Sequence, residues 1–255
     1  GEQDAMQRDD WYTTHRDARQ LDDAAQVGRI AAERAIARLG GRKVKTGEFP
    51  IILEAPLAGG LLGSLVHAAS GGALYRKSSF LLDQLGKKIM PDFIQIAERP
   101  HIPCGLGSAS FDSDGVATRD RDLVSNGILQ GYFLSTYTAR KLGMQTTANA
   151  GGSHNLVIQP GELGLEGLMA KMGRGLLVTE LLGHGINYVT GDYSRGAAGY
   201  WIEDGKIAYP VEEITIAGNL KAMLAGIVAV GNDVLVRGSK QTGSIMLDRM
   251  TVAGE

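Results

Sequence analysis

The sequence predicts an α+β fold: a single domain of mostly antiparallel, strongly curved sheets with a few packed helices. Three observations predict it. Gly is abundant, at 36 of 255 residues with no short period, which points to tight turns and bulges and not to a fibre. Short apolar runs are separated by turn sequences, such as DSDG at 112–115, SNG at 125–127 and EDG at 203–205. Only a few segments carry the apolar period of a helix. With 44% hydrophobic residues, no internal repeat and no low-complexity linker, residues 1–255 are assigned to one domain.

In chain order, the first clear helix runs from Asp22 to Leu39. Asp22 and Asp23 offer capping oxygens, Val27, Ile30, Ala31 and Ala35 form a narrow apolar stripe for packing on a sheet, and Gly40-Gly41 ends it. Pro50 to Glu54 reads as an apolar strand broken by Pro56. From Gly59 onward, Leu61, Leu62, Leu65, Val66 and Ala69 fit a buried helix face. Ser78 is placed to cap another helix, Ser79 to Lys88. After Pro100 the texture changes to short strands. Ser108 to Phe111 and Val116 to Thr118 flank the first turn, and Asp122 to Val124 and Ile128 to Leu134 flank Asn126-Gly127, a strong hairpin signal. Thr136 to Leu142 is a short helix stopped by Gly143. Strands are expected at Asn155 to Ile158, Gly175 to Leu182 (with Val178-Thr179-Glu180 also readable as the end of a helix), Asn187 to Thr190, Gly199 to Glu203 and Lys206 to Val211. A helix is expected over Leu220 to Val228, then strands at Asp233 to Val236, Ser244 to Leu247 and Met250 to Val252.

Composition narrows the function. A net charge of −2 gives no basic footprint for nucleic acid. No apolar run reaches the roughly 20 residues of a membrane helix, and the charged first residues hold no signal-peptide core. The single cysteine, Cys104, rules out an internal disulfide and fits a reducing, cytoplasmic setting.

Five histidines (His15, His67, His101, His154 and His184) are candidate ligands or bases. No two lie within five residues of each other, so the helical ligand pair common in zinc sites is missing, and a site would have to assemble from distant residues. His67 reads as a core or interface histidine on its helix, and His154 as a loop histidine able to meet a ligand. The glycines around His184 serve backbone geometry. Cys104 with His101 nearby is a candidate nucleophile only if the two meet in space. None of Ser64, Ser108 or Ser153 sits in a G-x-S-x-G elbow. Gly59-Gly60 and Gly151-Gly152-Ser153 offer backbone N–H groups to an anion, without a phosphate-loop or dinucleotide pattern. Asp192 and Arg195 are close enough to pair or to bound a polar pocket. Tyr188, Tyr193, Tyr200 and Trp201 make residues 188–201 the most aromatic stretch, suited to an interface, a peptide groove or ordinary sheet packing.

Residues 172–224 (MGRGLLVTELLGHGINYVTGDYSRGAAGYWIEDGKIAYPVEEITIAGNLKAML) resemble the TldD/PmbA family, more specifically its PmbA (TldE) branch. The stretches 146–162 (TTANAGGSHNLVIQPGE), 227–233 (IVAVGND), 78–89 (SSFLLDQLGKKI) and the opening MQRDDWYTTHRDARQLDD extend the resemblance over nearly the whole chain. The resemblance implies a C-terminal domain that, in the family, follows an N-terminal domain not in this sequence. It also implies a proteolytic setting, because the TldD branch is a metalloprotease. There His-Glu-x-x-x-His and a later Cys hold the metal, and the Glu acts as general base on bound water. Laid on this chain, the two His positions hold Gly63 and Ala68, the Glu position holds Ser64, and His67 is one residue out of register. Val236 to Ser244 contains no Cys. The resemblance therefore implies the non-catalytic subunit of a heterodimeric metalloprotease acting on small or unfolded peptides, with a TldD-type partner and with no metal or other cofactor in this chain. Ser153, His154 and Arg195 are the expected peptide contacts, with an exposed sheet edge receiving extended peptide. The alternatives are a non-enzymatic binding or scaffold protein that self-associates through residues 188–201, and an independent Cys or Ser hydrolase.

Overall fold

The computed structural model describes residues 6–255. Its elements in order are α1 (Ala24–Ala37), β1 (Gly47–Leu53), α2 (Ala55–Ala68), α3 (Gly71–Tyr75), β2 (Ile96–Glu98), β3 (Arg121–Ser125), β4 (Ile128–Leu129), α4 (Thr136–Leu142), β5 (Leu156–Ile158), α5 (Leu165–Met172), β6 (Gly175–Leu182), β7 (Asp192–Glu203), β8 (Lys206–Asn219), α6 (Leu220–Ala225), β9 (Ile227–Val230), β10 (Lys240–Gln241) and β11 (Ile245–Ala253). The larger sheet runs β1-β6-β7-β8-β11-β9, and β1 also pairs with β11. Five strands thus close into a barrel, with β9 extending from the same edge of β11 that meets β8. Only the β1–β6 pair is parallel in this sheet. The smaller sheet runs β10-β5-β2-β3-β4 and is antiparallel except between β10 and β5. The expected α+β class with mostly antiparallel, strongly curved sheets is the observed one.

Bulges produce the curvature. Register shifts interrupt the β1–β11, β6–β7, β7–β8 and β11–β9 ladders, each bending its strand and increasing its twist. Pro50 falls in the β1 irregularity between Phe49 and Ile51, a place in a strand that tolerates a residue without N–H.

The run Ile51-Ile52-Leu53 is apolar throughout because β1 is covered on both faces. Ile51 and Leu53 enter the main core with Leu62, Leu65, Leu176 and Ile245, while Ile52 joins Leu168, Met172, Leu177, Ile202 and Met246 under α5. The buried face of α2 belongs to the same cluster as Ile96, Leu123 and Leu156 of the smaller sheet, so this helix is packed against both sheets. Burying one such Leu or Ile fully contributes about 1.5–3 kcal/mol.

Several expectations need correction. Residues 79–88 form turns, not a helix. Asp83 and Gly86 take left-handed backbone (φ 58° and 74°), and the Tyr132 hydroxyl donates to Leu81 O and accepts from Leu85 N. The helix in this region is α3, capped by Ser70, whose side chain accepts from Ala73 N. Residues 187–190 are a turn because the Asn187 side chain accepts from Val189 N, and Gly191 N donates to Asn187 O. Ser108 to Thr118 keeps its turn but forms one bridge, Phe111 to Ala117. Likewise, 233–236 contributes one bridge, at Leu235. The helix expected to Val228 ends at Ala225 and gives way to β9, and the strands expected at 244–247 and 250–252 are one strand, β11. β7 and β8 are much longer than expected. α5 was not anticipated. On α1 the stripe residues are only half-buried, so the helix lies on the surface of the domain.

Candidate functional site

The helix that the sequence singles out, α2, begins directly from β1. Its first turn is held from outside. Ala55 N donates to Ser244 Oγ (3.0 Å), and that hydroxyl donates to Asp233 Oδ2 (2.6 Å). Pro56, without an N–H, fits this turn. Glu54 precedes the helix without capping it by a side-chain bond; Arg34 of α1 grips both its carboxylate oxygens, at 2.8 and 2.9 Å. That fork, with Asp9 adding a third contact at 3.2 Å, holds the guanidinium pKa well above its ordinary value. Next to it, Arg38 reaches Glu180 of β6 and donates to Arg8 O (2.8 Å).

Along α2, the three positions that the resemblance assigns to a degenerate motif fall into different surroundings. Gly63 faces β10: a Cβ there would stand 3.6 Å from Lys240 Cε, and one on Gly59, a turn earlier, would stand 3.8 Å from Lys240 Cβ. Ser64 is buried, and its hydroxyl donates to Gly60 O at 3.1 Å. Ala68 is fully buried, and its carbonyl accepts from Ser79 Oγ at 2.5 Å. Because α2 is a continuous helix through these residues, positions 63 and 68 project about 140° apart. Gly59 and Gly60 lie inside the helix, so their amides do not form the anion cradle considered from sequence.

His67 is exposed and lies flat on Tyr188, with ring centroids 3.9 Å apart. Of the core or interface histidine expected, the core reading is thereby corrected. His101 Nε2 bonds Thr118 Oγ1 at 3.0 Å, and Cys104 is exposed in a left-handed turn (φ 55°). His184 sits in an exposed loop where Gly183 has φ 76°, and a Cβ on Gly185 would lie 1.9 Å from Ser194 O, so both glycines are required by the backbone. Among the described residues, no group of three or more His, Cys, Asp or Glu side chains is placed to hold a metal ion.

The three expected peptide contacts do not converge on one sheet. Ser153 and His154 lie in the loop before β5. His154 is buried: its N–H donates to Glu98 Oε1 (2.7 Å), and its Nε2 lies 3.0 Å from Ala148 O. Glu98, itself almost wholly buried, also accepts from Arg121 Nε (2.6 Å) and Asn149 Nδ2 (2.8 Å). This closed network fixes the loop to β2 and β3, a structural arrangement in which every partner of the carboxylate is named. Arg195 lies on β7 of the larger sheet. It does not pair with Asp192, whose carboxylate instead accepts from Thr190 Oγ1 (2.6 Å) and Asn219 Nδ2 (3.1 Å). Those bonds hold the Asp192 pKa below the ordinary range.

Arg195 turns inward instead. It lines a small cavity with Ser64, Gly60, Tyr193 and Met223. Burial raises the Tyr193 pKa, opposed by the neighbouring guanidinium. Sequence reasoning named Ser64 and Arg195 separately and found no link between them. Their meeting depends on β7 crossing beneath α2, which no local pattern reports.

The sequence profile of the PmbA/TldA metallopeptidase C-terminal domain matches residues 46–254. The chain is 49% identical over its full 255 residues to a Haemophilus influenzae protein named Metalloprotease PmbA homolog, covering 56% of that protein. Among solved structures, a Bacteroides thetaiotaomicron protein described as a candidate modulator of DNA gyrase superposes with a TM-score of 0.91 at 34% identity, over 96% of this chain and 55% of that one. TldE from Thermococcus kodakarensis superposes with a TM-score of 0.81 at 27% identity, over 92% of this chain and 56% of that one. The chain spans about half the length of the relatives it matches.

Proposed function

The chain belongs to the TldD/PmbA family, matching its metallopeptidase C-terminal domain, and from that premise we propose that it serves as the non-catalytic, PmbA/TldE-type subunit of a two-subunit metalloprotease. Its partner is a TldD-type subunit that holds the metal, and its substrates are small or unfolded peptides in the cytoplasm. The occupancy of α2 carries this reading. Gly63, Ser64 and Ala68 supply neither an imidazole nor a carboxylate, and positions 63 and 68 face apart. Hydrolysis by a bound water needs ligands and a base that this helix does not offer. The domain is then the family's C-terminal module, and its share of the work is to shape a chamber and hold peptide.

Strand addition is the binding mode that suits an unfolded substrate, because backbone bonds give affinity with little sequence preference. The closed barrel limits where that can happen. β9 pairs with β11 on one edge and borders a groove of about 490 Å³ containing Phe93, Leu163 and Lys171. That groove supports a peptide path better than the buried His154 does. Of the expected contacts Ser153 remains as a loop contact, whereas Arg195 faces inward and away from that path.

Co-expression with a TldD-type subunit tests the proposal. The two chains are expected to co-purify and to cleave an unstructured peptide, with activity lost on adding a chelator and absent from either chain alone. Peptide cleavage by this chain alone, or failure of the full-length protein to associate with any TldD-type subunit, overturns it. The second outcome favours a self-associating scaffold protein.

A further inference from the structure

Arg195 carries a charge that no carboxylate among the described residues neutralises. Its Nη2 donates to Leu181 O at 3.3 Å, while its Nε is buried with no hydrogen-bond partner. The side chain lines an enclosed cavity of about 20 Å³ between α2, the end of β6, β7 and α6. That volume suits one water-sized occupant. Two hydroxyl residues, Ser64 and Tyr193, line the same space, and Leu57, Leu61 and Met223 supply apolar walls. The Ser64 hydroxyl is bonded to a carbonyl within its own helix, a bond it can exchange by rotating toward the cavity. Tyr193 stays protonated through the physiological range, since burial raises its pKa.

The cavity therefore gathers a guanidinium N–H and two hydroxyls around a space with no negative group. A cation is repelled. A water satisfies one donor and leaves the charge uncompensated, which is costly in a partly buried site. An anion answers both needs.

We propose that this cavity binds one small monovalent anion, a halide ion, held by Arg195 Nε with the hydroxyls of Ser64 and Tyr193.

The test uses the whole chain and bromide as probe. Thermal unfolding in sodium bromide is compared with sodium gluconate at equal ionic strength. A saturable rise of about 3–6 °C is expected when bromide exceeds its dissociation constant tenfold. Arg195→Met is expected to lose that rise whatever its own midpoint. Ser64→Asp is expected to raise the midpoint in gluconate and to remove the bromide response, because the carboxylate then sits inside. Bromide-soaked crystals are expected to show an anomalous peak within hydrogen-bond distance of Arg195 Nε. An equal response in bromide and gluconate, a response retained by Arg195→Met, or water alone at the site overturns the proposal.

Discussion

The His67 imidazole lies on the Tyr188 ring at 3.9 Å between centroids and 29° between planes. Tyr188 belongs to the turn that joins β6 to β7, so this stack ties the last turn of α2 to a loop of the larger sheet. Phe80 N donates to Tyr188 O at 2.8 Å, fixing the same turn from the opposite side. His67→Ala is expected to cost about 0.5–1.5 kcal/mol in chemical denaturation, and His67→Phe less than half of that, since a ring remains to stack. Equal losses in both variants would mean that a polar bond of the imidazole matters, and not the stack.

The motif positions give a metal prediction. The purified chain is expected to contain far less than stoichiometric zinc or iron by elemental analysis. Installing Gly63→His, Ser64→Glu and Ala68→His together is expected not to create a zinc site, because positions 63 and 68 project about 140° apart on an unbroken helix. Ala68→His alone is expected to cost about 1–3 kcal/mol, as a ring is forced into a fully buried site. One zinc per chain in either protein would sink this account.

Arg34 and Glu54 make a fork of two bonds that is mostly sheltered from solvent, with about a fifth of the arginine side chain exposed. Arg34→Met leaves the Glu54 carboxylate without its main partner at the start of α2. The expected loss is about 2–3 kcal/mol, below the range for a fully buried pair because of that exposure. The double variant Arg34→Met with Glu54→Gln is expected to recover part of it. A double variant no better than the single would show that Arg34 acts through its packing on Trp11, whose ring centroid lies 5.1 Å from the guanidinium carbon.

Asp114 gives a pH prediction. Its carboxylate accepts from Thr136 N (2.8 Å) and Thr136 Oγ1 (2.6 Å), and these bonds hold its pKa below the ordinary carboxylate value. The folded-state pKa is thus lower than the unfolded one. The stabilisation is complete above the unfolded value, near 3.8, and is lost as pH falls through the folded value. Thr136→Val removes one of the two bonds, so an NMR titration of Asp114 should move to higher pH and acid unfolding should begin earlier. An unchanged titration would show that the backbone bond alone sets the shift.

What the sequence disclosed follows the range of the forces involved. α4 and β6 were legible at their bounds because their signals are local: the Ser135 cap and Gly143 with φ 66° for the helix, and a run of apolar residues between glycines for the strand. The turn at Asn126-Gly127 was legible because both residues take positive φ (50° and 71°), but the strand after it, expected to Leu134, ends at Leu129. Residues 79–88 misled because the Tyr132 hydroxyl, far along the chain, bonds the Leu81 carbonyl and the Leu85 amide in place of helical bonds; of the three leucines only Leu81 is buried, and Leu85 is exposed. α5 carried a readable pattern, with Leu165, Leu168, Met169 and Met172 at helical spacing, but Gly164, Gly167 and Gly173 obscured it. The motif positions on α2 rest on the resemblance alone. The cavity shared by Ser64 and Arg195 was not legible, since it exists only where strand and helix cross.

β11 has a consequence for biosynthesis. It pairs with β1 and β8 and carries β9, so the barrel closes only when the last strand arrives. Of the barrel's strands it is the last to leave the ribosome. Until then the nascent chain exposes the open edges of β1 and β8, with the apolar interior between them unsealed. Its first strand must wait for a partner from the opposite end of the domain, which makes closure slow and leaves the newborn chain dependent on protection from its neighbours. A stop codon anywhere before Ile245 therefore removes the closing stave, and the expected product is an aggregating chain and not a shorter working domain.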